Sequence, residues 1–203
     1  MTKQSVATQF AISWDYLCPF ARNAHEHVMA GLEAGADWDV EFRPFSLGQA
    51  HVEEGEEAVF DRPDGAVYLH ALAAGVTIRD HYPDKFLGFH RAMFSARHDQ
   101  SRDIKDPSVV AEVLESQGLD SSKVSARYEE SVEKIRKSHS AAVSDSAMFG
   151  VPTFVVGDRA VFVRLMDRPG EDPSRGRETI EGVLALFRDL PTLNEFKQTQ
   201  IAR

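Results

Sequence analysis

The chain has 203 residues, 42% of them hydrophobic and 13 of them phenylalanine, with a formal net charge of -9. That apolar content supports one packed domain, or a small domain carrying an insertion, and excludes wholesale disorder. The acidic balance argues against nucleic acid or an anionic membrane surface as partner, and no apolar run approaches the length of a membrane span.

The first ten residues, MTKQSVATQF, lack the apolar stretch and small-residue cleavage site of a signal peptide, so a cytoplasmic location is expected. Cys18 is the single cysteine. It rules out an intrachain disulfide and any zinc site built mainly on cysteine. Redox chemistry would therefore need a second thiol from outside the chain. Oligomeric state is left open.

In chain order, Phe10–Trp14 (FAISW) reads as a short buried strand. A helix follows, with Cys18 as N-cap and Pro19 at the first helical position, where its fixed φ fits and its missing N–H is no loss. Phe20, Ala24, Val28 and Leu32 form its apolar stripe, and Gly35 ends it. Trp38, Val40 and Phe42 alternate with Asp39 and Glu41, the period of a half-buried strand, which Pro44 closes. Strand, helix and strand at this length predict a βαβ unit with a parallel pair.

From Gln49 to Phe149 the pattern turns helical. An acidic, turn-rich stretch, HVEEGEEAVFDRPDG, comes first. Phe86, Phe89, Met93 and Phe94 share one helical face. Asp106 and Pro107 read as N-cap and first position of another helix, which Gly118 closes, and Ser121–Met148 is helical again. Thr153–Val156 and Ala160–Val163 are β-branched, aromatic runs joined by Gly157-Asp158, a type II′ hairpin signal. An Arg-, Pro- and Gly-rich loop, RLMDRPGEDPSRGR, leads to a last helix over Glu178–Asp189. The predicted fold is α/β, with a discontinuous sheet unit over 1–48 and 149–203 and an inserted all-helical subdomain over 49–148.

Cys18 is the candidate nucleophile. At a helix N-terminus, unpaired amides and the helix dipole favour a thiolate, so a lowered pKa is expected. The run SWDYLCPFA resembles the active-site junction of DsbA-type thioredoxin folds, where Cys-Pro-x-Cys follows the first strand of the domain. GVPTFVVGDRAVF resembles the same family's cis-proline segment, and a helical block separates the two runs as the family requires. The sequence is also similar to the actinobacterial-type soluble branch and to the 2-hydroxychromene-2-carboxylate isomerase and kappa-class glutathione transferase relatives. The resemblance implies a thioredoxin-like fold and a cis peptide before Pro152. It also implies a thiol- or substrate-binding site formed by Tyr16, Pro19, Phe20, Ala21, Val151 and Pro152 around catalytic Cys18. The family's second motif cysteine is Ala21 here, so release of a mixed disulfide by internal attack is closed.

Three functions stay open on these residues. The leading one is a monothiol oxidoreductase acting through a mixed disulfide with a low-molecular-weight thiol such as mycothiol or glutathione, with no tightly bound cofactor. The second is a transferase or isomerase that binds such a thiol without net redox chemistry, and the third is a non-catalytic binding member of the fold. Elsewhere, His25 and His27 lie roughly 10 Å or more past Cys18 along the helix and read as solvated. His90, among phenylalanines, reads as a core histidine. No histidine pair has a metal-ligand motif, so no metal is expected. Asp15 and Tyr16 are expected to line the cleft, and Phe86–Phe94 to wall it as part of a helical lid. Arg159, Arg164, Arg168, Arg175 and Arg177 could attract a cofactor's carboxylates or simply face solvent.

Overall fold

The computed structural model describes residues 7–198, 200 and 201. β1 (Thr8–Trp14) and β2 (Trp38–Pro44) pair in parallel along their whole length, from Thr8 opposite Trp38 to Trp14 opposite Pro44. Between them, α1 (Pro19–Glu33) starts at Cys18, and Gly35 leaves it at φ +75°, a conformation that costs a glycine little. β3 (Thr153–Val156) joins β1 antiparallel, with Ile12 opposite Phe154. β4 (Arg159–Phe162) pairs with β3 through the turn at Gly157, whose φ of +61° suits the hairpin. This strand lies one residue earlier than the apolar run indicates. The sheet order is β2-β1-β3-β4, and Phe10–Trp14 at its centre is buried throughout.

Between β2 and β3 come α2 (Leu47–Ala50), α3 (Gly65–His81), α4 (Pro83–His98), α5 (Pro107–Ser116), α6 (Ser121–Ser125) and α7 (Tyr128–Ser146). α3 is the centre of this block. Ala71–Ile78 is buried without a break, with α4, α5, α6 and α7 packed around it. An element apolar on every side has no stripe to reveal it, and the sequence pattern does not single it out. Asp106 caps α5 by accepting the Ser108 amide at 2.8 Å, as the Asp-Pro signal predicts.

α8 (Pro173–Asp189) begins five residues before the predicted start, at the same Asp-Pro signal: Asp172 accepts the Ser174 amide at 2.9 Å. Its first turns cross α1 closely. A Cβ at Gly176 would stand 2.7 Å from both the Ala30 Cβ and the His27 carbonyl oxygen. The whole is an α/β sheet unit with an inserted all-helical subdomain. Both chain crossings between the two parts run past the β1–α1 junction, one at Phe45–Leu47 and the other at Ala147–Pro152.

Candidate active site at the start of the first helix

Cys18 sits between an amide and a carbonyl. Its Sγ accepts the Ala21 N–H at 3.4 Å, the N-cap bond of α1, and donates to the Val151 carbonyl oxygen at 3.2 Å. The Val151–Pro152 peptide is cis. The Thr153 amide donates to Ser13 Oγ at 2.9 Å and the Thr153 hydroxyl to the Gly150 carbonyl at 2.7 Å, which fix this loop against β1. Cys18, Ala21, Val151 and Pro152 are thus brought together, with Pro19 exposed and Phe20 half-buried beside them.

The lowered thiol pKa expected from a helix N-terminus is overturned. Burial pushes the Cys18 thiol up; the Ala21 and Phe20 amides pull it down, Asp15 adds to the rise and Arg164 opposes it. Cys18 is only 7% exposed, so desolvation of the anion outweighs the first-turn amides. At rest the group is a protonated thiol that donates to Val151.

Asp15 and Tyr16 do not line an open cleft. Both are buried, and Tyr16 is inaccessible. The Asp15 carboxylate ties the junction to the helical block, accepting the Leu17 amide at 3.0 Å and the Leu47 amide at 2.8 Å. Burial raises its pKa to about 6 despite those two bonds. The His98 ring donates from Nε2 to the Tyr16 carbonyl at 2.9 Å.

The Tyr16 side chain turns into the seam between β1, α1 and α4. Its hydroxyl lies 2.8 Å from His90 Nδ1, His90 Nε2 lies 2.9 Å from His25 Nδ1, and His25 Nε2 lies 3.1 Å from the Ser13 carbonyl oxygen. A carbonyl only accepts, so His25 carries its proton on Nε2. Its neutral Nδ1 then accepts from His90 Nε2, and His90 Nδ1 accepts the tyrosine hydroxyl. Burial keeps every member neutral, lowering His25 to about 4, holding His90 well below the ordinary histidine range and raising the Tyr16 phenol well above its usual range.

His90 is the satisfied core histidine its neighbours predict. His25 and His27 are not solvated: His25 is enclosed by this chain, and His27 is buried with its Nε2 3.3 Å from the Asp167 carbonyl oxygen. Nor does Phe86–Phe94 wall a cleft. Phe86 packs edge to face on Trp14 and Phe42, as do Phe89 and Phe94 on Tyr16, so the segment is core.

Near Cys18 a partly exposed ledge is formed by Phe20, Phe149, Phe162 and Arg164. Phe149, 71% exposed, packs its ring 5.1 Å from that of Phe162. The Arg164 guanidinium lies 4.6 Å from the Phe20 ring centre and 5.8 Å from that of Phe162. The other arginines of this region are engaged. Arg159 donates to the Phe187 and Pro191 carbonyls, Arg168 bridges Glu26 and Asp99, Arg175 pairs with Asp167, and Arg177 with Glu181. Two concavities, of about 610 and 360 Å³, lie elsewhere, the first lined by Gly88, Arg91 and Glu112 and the second by Arg43, Arg79 and Ser138. Among the described residues no cluster of three or more His, Cys, Asp or Glu is placed to hold a metal ion, and no helix is long and apolar enough to cross a membrane.

Sequence reasoning missed His90 and His98 as partners of the junction, and Ser13 as the brace of the Pro152 loop. No local signal marks them, because each acts on a residue far away in the chain.

Comparison with known proteins agrees with this geometry. The chain resembles a thioredoxin-like oxidoreductase from Silicibacter pomeroyi at 20% identity and TM-score 0.58, covering 89% of this chain and 86% of that one. It is similar to Pseudomonas aeruginosa DsbA at 18% identity and TM-score 0.56, covering 95% and 90%. A 2-hydroxychromene-2-carboxylate isomerase matches at 16% identity and TM-score 0.57, covering 91% of this chain and 100% of that one. These likenesses show the fold. No curated protein matches the sequence. The DSBA-like thioredoxin domain matches residues 11–168, from the middle of β1 past the ledge, and takes in both the Cys18 junction and the Pro152 loop; the chain belongs to the family of DSBA-like thioredoxin domains.

Proposed function

We propose that the protein is a thiol-dependent oxidoreductase that acts in the cytoplasm through one thiol, exchanging Cys18 with a low-molecular-weight thiol of the glutathione or mycothiol kind. The observation that carries this reading is the seat of Cys18 Sγ, between the Ala21 amide and the Val151 carbonyl, with no second thiol in the chain. Family membership and the oxidoreductase names of the structural relatives support the reaction class.

In the reaction, Cys18 loses its proton to solvent and its thiolate attacks one sulfur of a disulfide R–S–S–R. The S–S bond breaks, R–S⁻ leaves with the electron pair and takes up a proton, and Cys18–S–S–R forms. A second small thiolate, R′–S⁻, attacks the R sulfur; Cys18 leaves as thiolate and is reprotonated. The net change is R–S–S–R plus R′–SH to R–S–S–R′ plus R–SH. The first-turn amides and Arg164 stabilise the Cys18 anion, and a peptide-like thiol can lie along the Val151 backbone. A thiol with a raised pKa is a poor leaving group, so release is slow and the mixed disulfide accumulates.

The test is intact mass spectrometry after exposure to glutathione disulfide or mycothiol disulfide. One thiol adduct is expected, removed by excess thiol and absent in Cys18→Ser. Ala21→Cys, which supplies a resolving thiol, should clear the adduct unaided. Failure of every disulfide to label Cys18 would remove the reading.

One observation favours a second reading, a thiol-dependent transferase or isomerase. The resting Cys18 is a hydrogen-bond donor. Turned from Val151 to the sulfur of a bound small thiol, it would stabilise that thiolate with no disulfide formed. Binding of reduced glutathione that Cys18→Ser keeps and Cys18→Ala loses, without adduct, would select this reading.

A further inference from the structure

We infer that Arg164 and the rings around it select the exchange partner of Cys18: a small disulfide carrying a carboxylate near an aromatic or other flat apolar group. The inference rests on the thiol-exchange reading above and adds its substrate class.

Three observations lead to it. Among the described residues, Arg164 makes no hydrogen bond or ion pair within the protein, whereas Arg159, Arg168, Arg175 and Arg177 all do. An exposed guanidinium held over a ring keeps its planar donors free for a bidentate acceptor. Arg164 also stands over the ring of Phe20, two residues past Cys18, with its guanidinium 4.6 Å from the ring centre, and its charge opposes the rise in the thiol's pKa.

The third observation is the surface beside it. Phe149 stands 71% exposed at the loop that carries Val151, tilted against Phe162, whose ring lies 3.5 Å from where a Gly150 Cβ would be. Phe20, one residue past Pro19, flanks the guanidinium on the other side. A loop residue with so much exposed aromatic surface beside a reactive thiol is suited to cover an apolar group of a ligand. Glycine at 150 keeps the loop free of a side chain between Phe162 and Val151. The carboxylate goes to Arg164, the flat group to Phe149 and Phe162, and the disulfide to Cys18.

The experiment measures second-order rate constants for labelling of Cys18 by four disulfides: dithiobis-nitrobenzoate (aromatic, anionic), dithiodipyridine (aromatic, neutral), hydroxyethyl disulfide (aliphatic, neutral) and cystamine (aliphatic, cationic). Each variant is compared with wild type for the same probe, which cancels the intrinsic reactivity of the probe. Arg164→Ala should slow dithiobis-nitrobenzoate about tenfold more than it slows either neutral probe, the effect of losing one charge-assisted pair. Arg164→Glu should reverse the order in favour of cystamine, and Arg164→Lys should keep part of the preference. Phe149→Ala should slow both aromatic probes and leave hydroxyethyl disulfide unchanged. Equal slowing of all four probes by Arg164→Ala would overturn the inference, since Arg164 would then act only on the thiol itself. Labelling by none of the four in the wild type would instead remove the thiol-exchange reading beneath it.

Discussion

The seam around Tyr16 and the ledge around Arg164 both border the same short junction, and both combine aromatic rings with strong hydrogen-bonding groups. In the seam the titratable side chains are partnered within the protein, Tyr16 with His90, His90 with His25 and His25 with the Ser13 carbonyl, and only the buried Trp14 Nε1 beside them has no hydrogen-bond partner among the described residues of the seam. On the ledge Arg164 has rings but no acceptor, and Phe149 faces solvent. Saturated polar groups hold a structure, and unsaturated ones next to a reactive atom are open to a ligand. The difference separates what positions Cys18 from what would meet its substrate.

That separation breaks most visibly under mutation. His90→Ala strands the Tyr16 hydroxyl and His25 Nδ1 in the core and leaves a cavity, and a loss of about 3–5 kcal/mol is expected in urea denaturation. Cys18→Ser at the edge of the ledge should stay within about 1 kcal/mol. Similar losses for the two would erase the distinction.

Acid attacks the same contrast. His25 titrates at about 4 in the fold against 6.5 unperturbed. Its contribution, about 3 kcal/mol, is complete above pH 6.5 and is lost as pH falls through 4. His90 acts in the same direction. Asp15, raised from 3.8 to about 6, has the opposite sign: its contribution is complete below pH 3.8 and is lost as pH rises through 6. Stability should therefore fall between pH 6.5 and 4, and Asp15→Asn should steepen that fall by removing the opposing term. A flat profile in Asp15→Asn, where the opposing term is gone, would show the histidines to be solvated after all.

Glycines sharpen the comparison at smaller scale. A Cβ at Gly75 of α3 would stand 2.5 Å from the Tyr16 hydroxyl, at the end of a ring wedged between Trp14, Phe89 and Phe94. Gly75→Ala should destabilise by about 1–3 kcal/mol. Gly182 in α8 meets nothing within 4 Å, so Gly182→Ala should be neutral or stabilise by up to about 1 kcal/mol. Thermal melts of the pair distinguish crowding of the seam from a general intolerance of substitution.

The smallest effects concern the thiol. The alkylation rate of Cys18 should rise only above the pH range of an ordinary cysteine. Asp15→Asn should move that rise to lower pH and Arg164→Ala to higher pH, following the direction in which each group acts. Movement in the opposite sense for either variant would contradict the electrostatic assignment.

The cap at Cys18 and Pro19 is legible in the sequence because capping is a local rule that needs four consecutive residues. The same rule marks Asp172-Pro173, but the arginines and glycines around it read as loop and conceal the start of α8. α3 escaped notice because a helix enclosed on all sides has no polar face to set its period. His25 and His27 misled for a different reason. A histidine in a helix reads as solvated until its partner is known, and the partner of His25 is 65 residues away. Arg164 is one of five similar arginines until the fold engages the other four. The sign of the Cys18 shift also needed the fold, since the helix start indicates the amides while only the packing determines how much water the sulfur keeps.

The two crossings that join the helical block to the sheet unit have a mechanical consequence. One bonds to the junction through the Leu47 amide and Asp15, the other through the Val151 carbonyl and Cys18. Between the crossings, the bonds from Tyr16 to His90 and from His90 to His25 fasten α4 to the sheet unit as well. The helical block is thus clamped to the junction from several directions, and any shift of it would carry Leu47 or Val151 and with them the groups that set the seat of the sulfur.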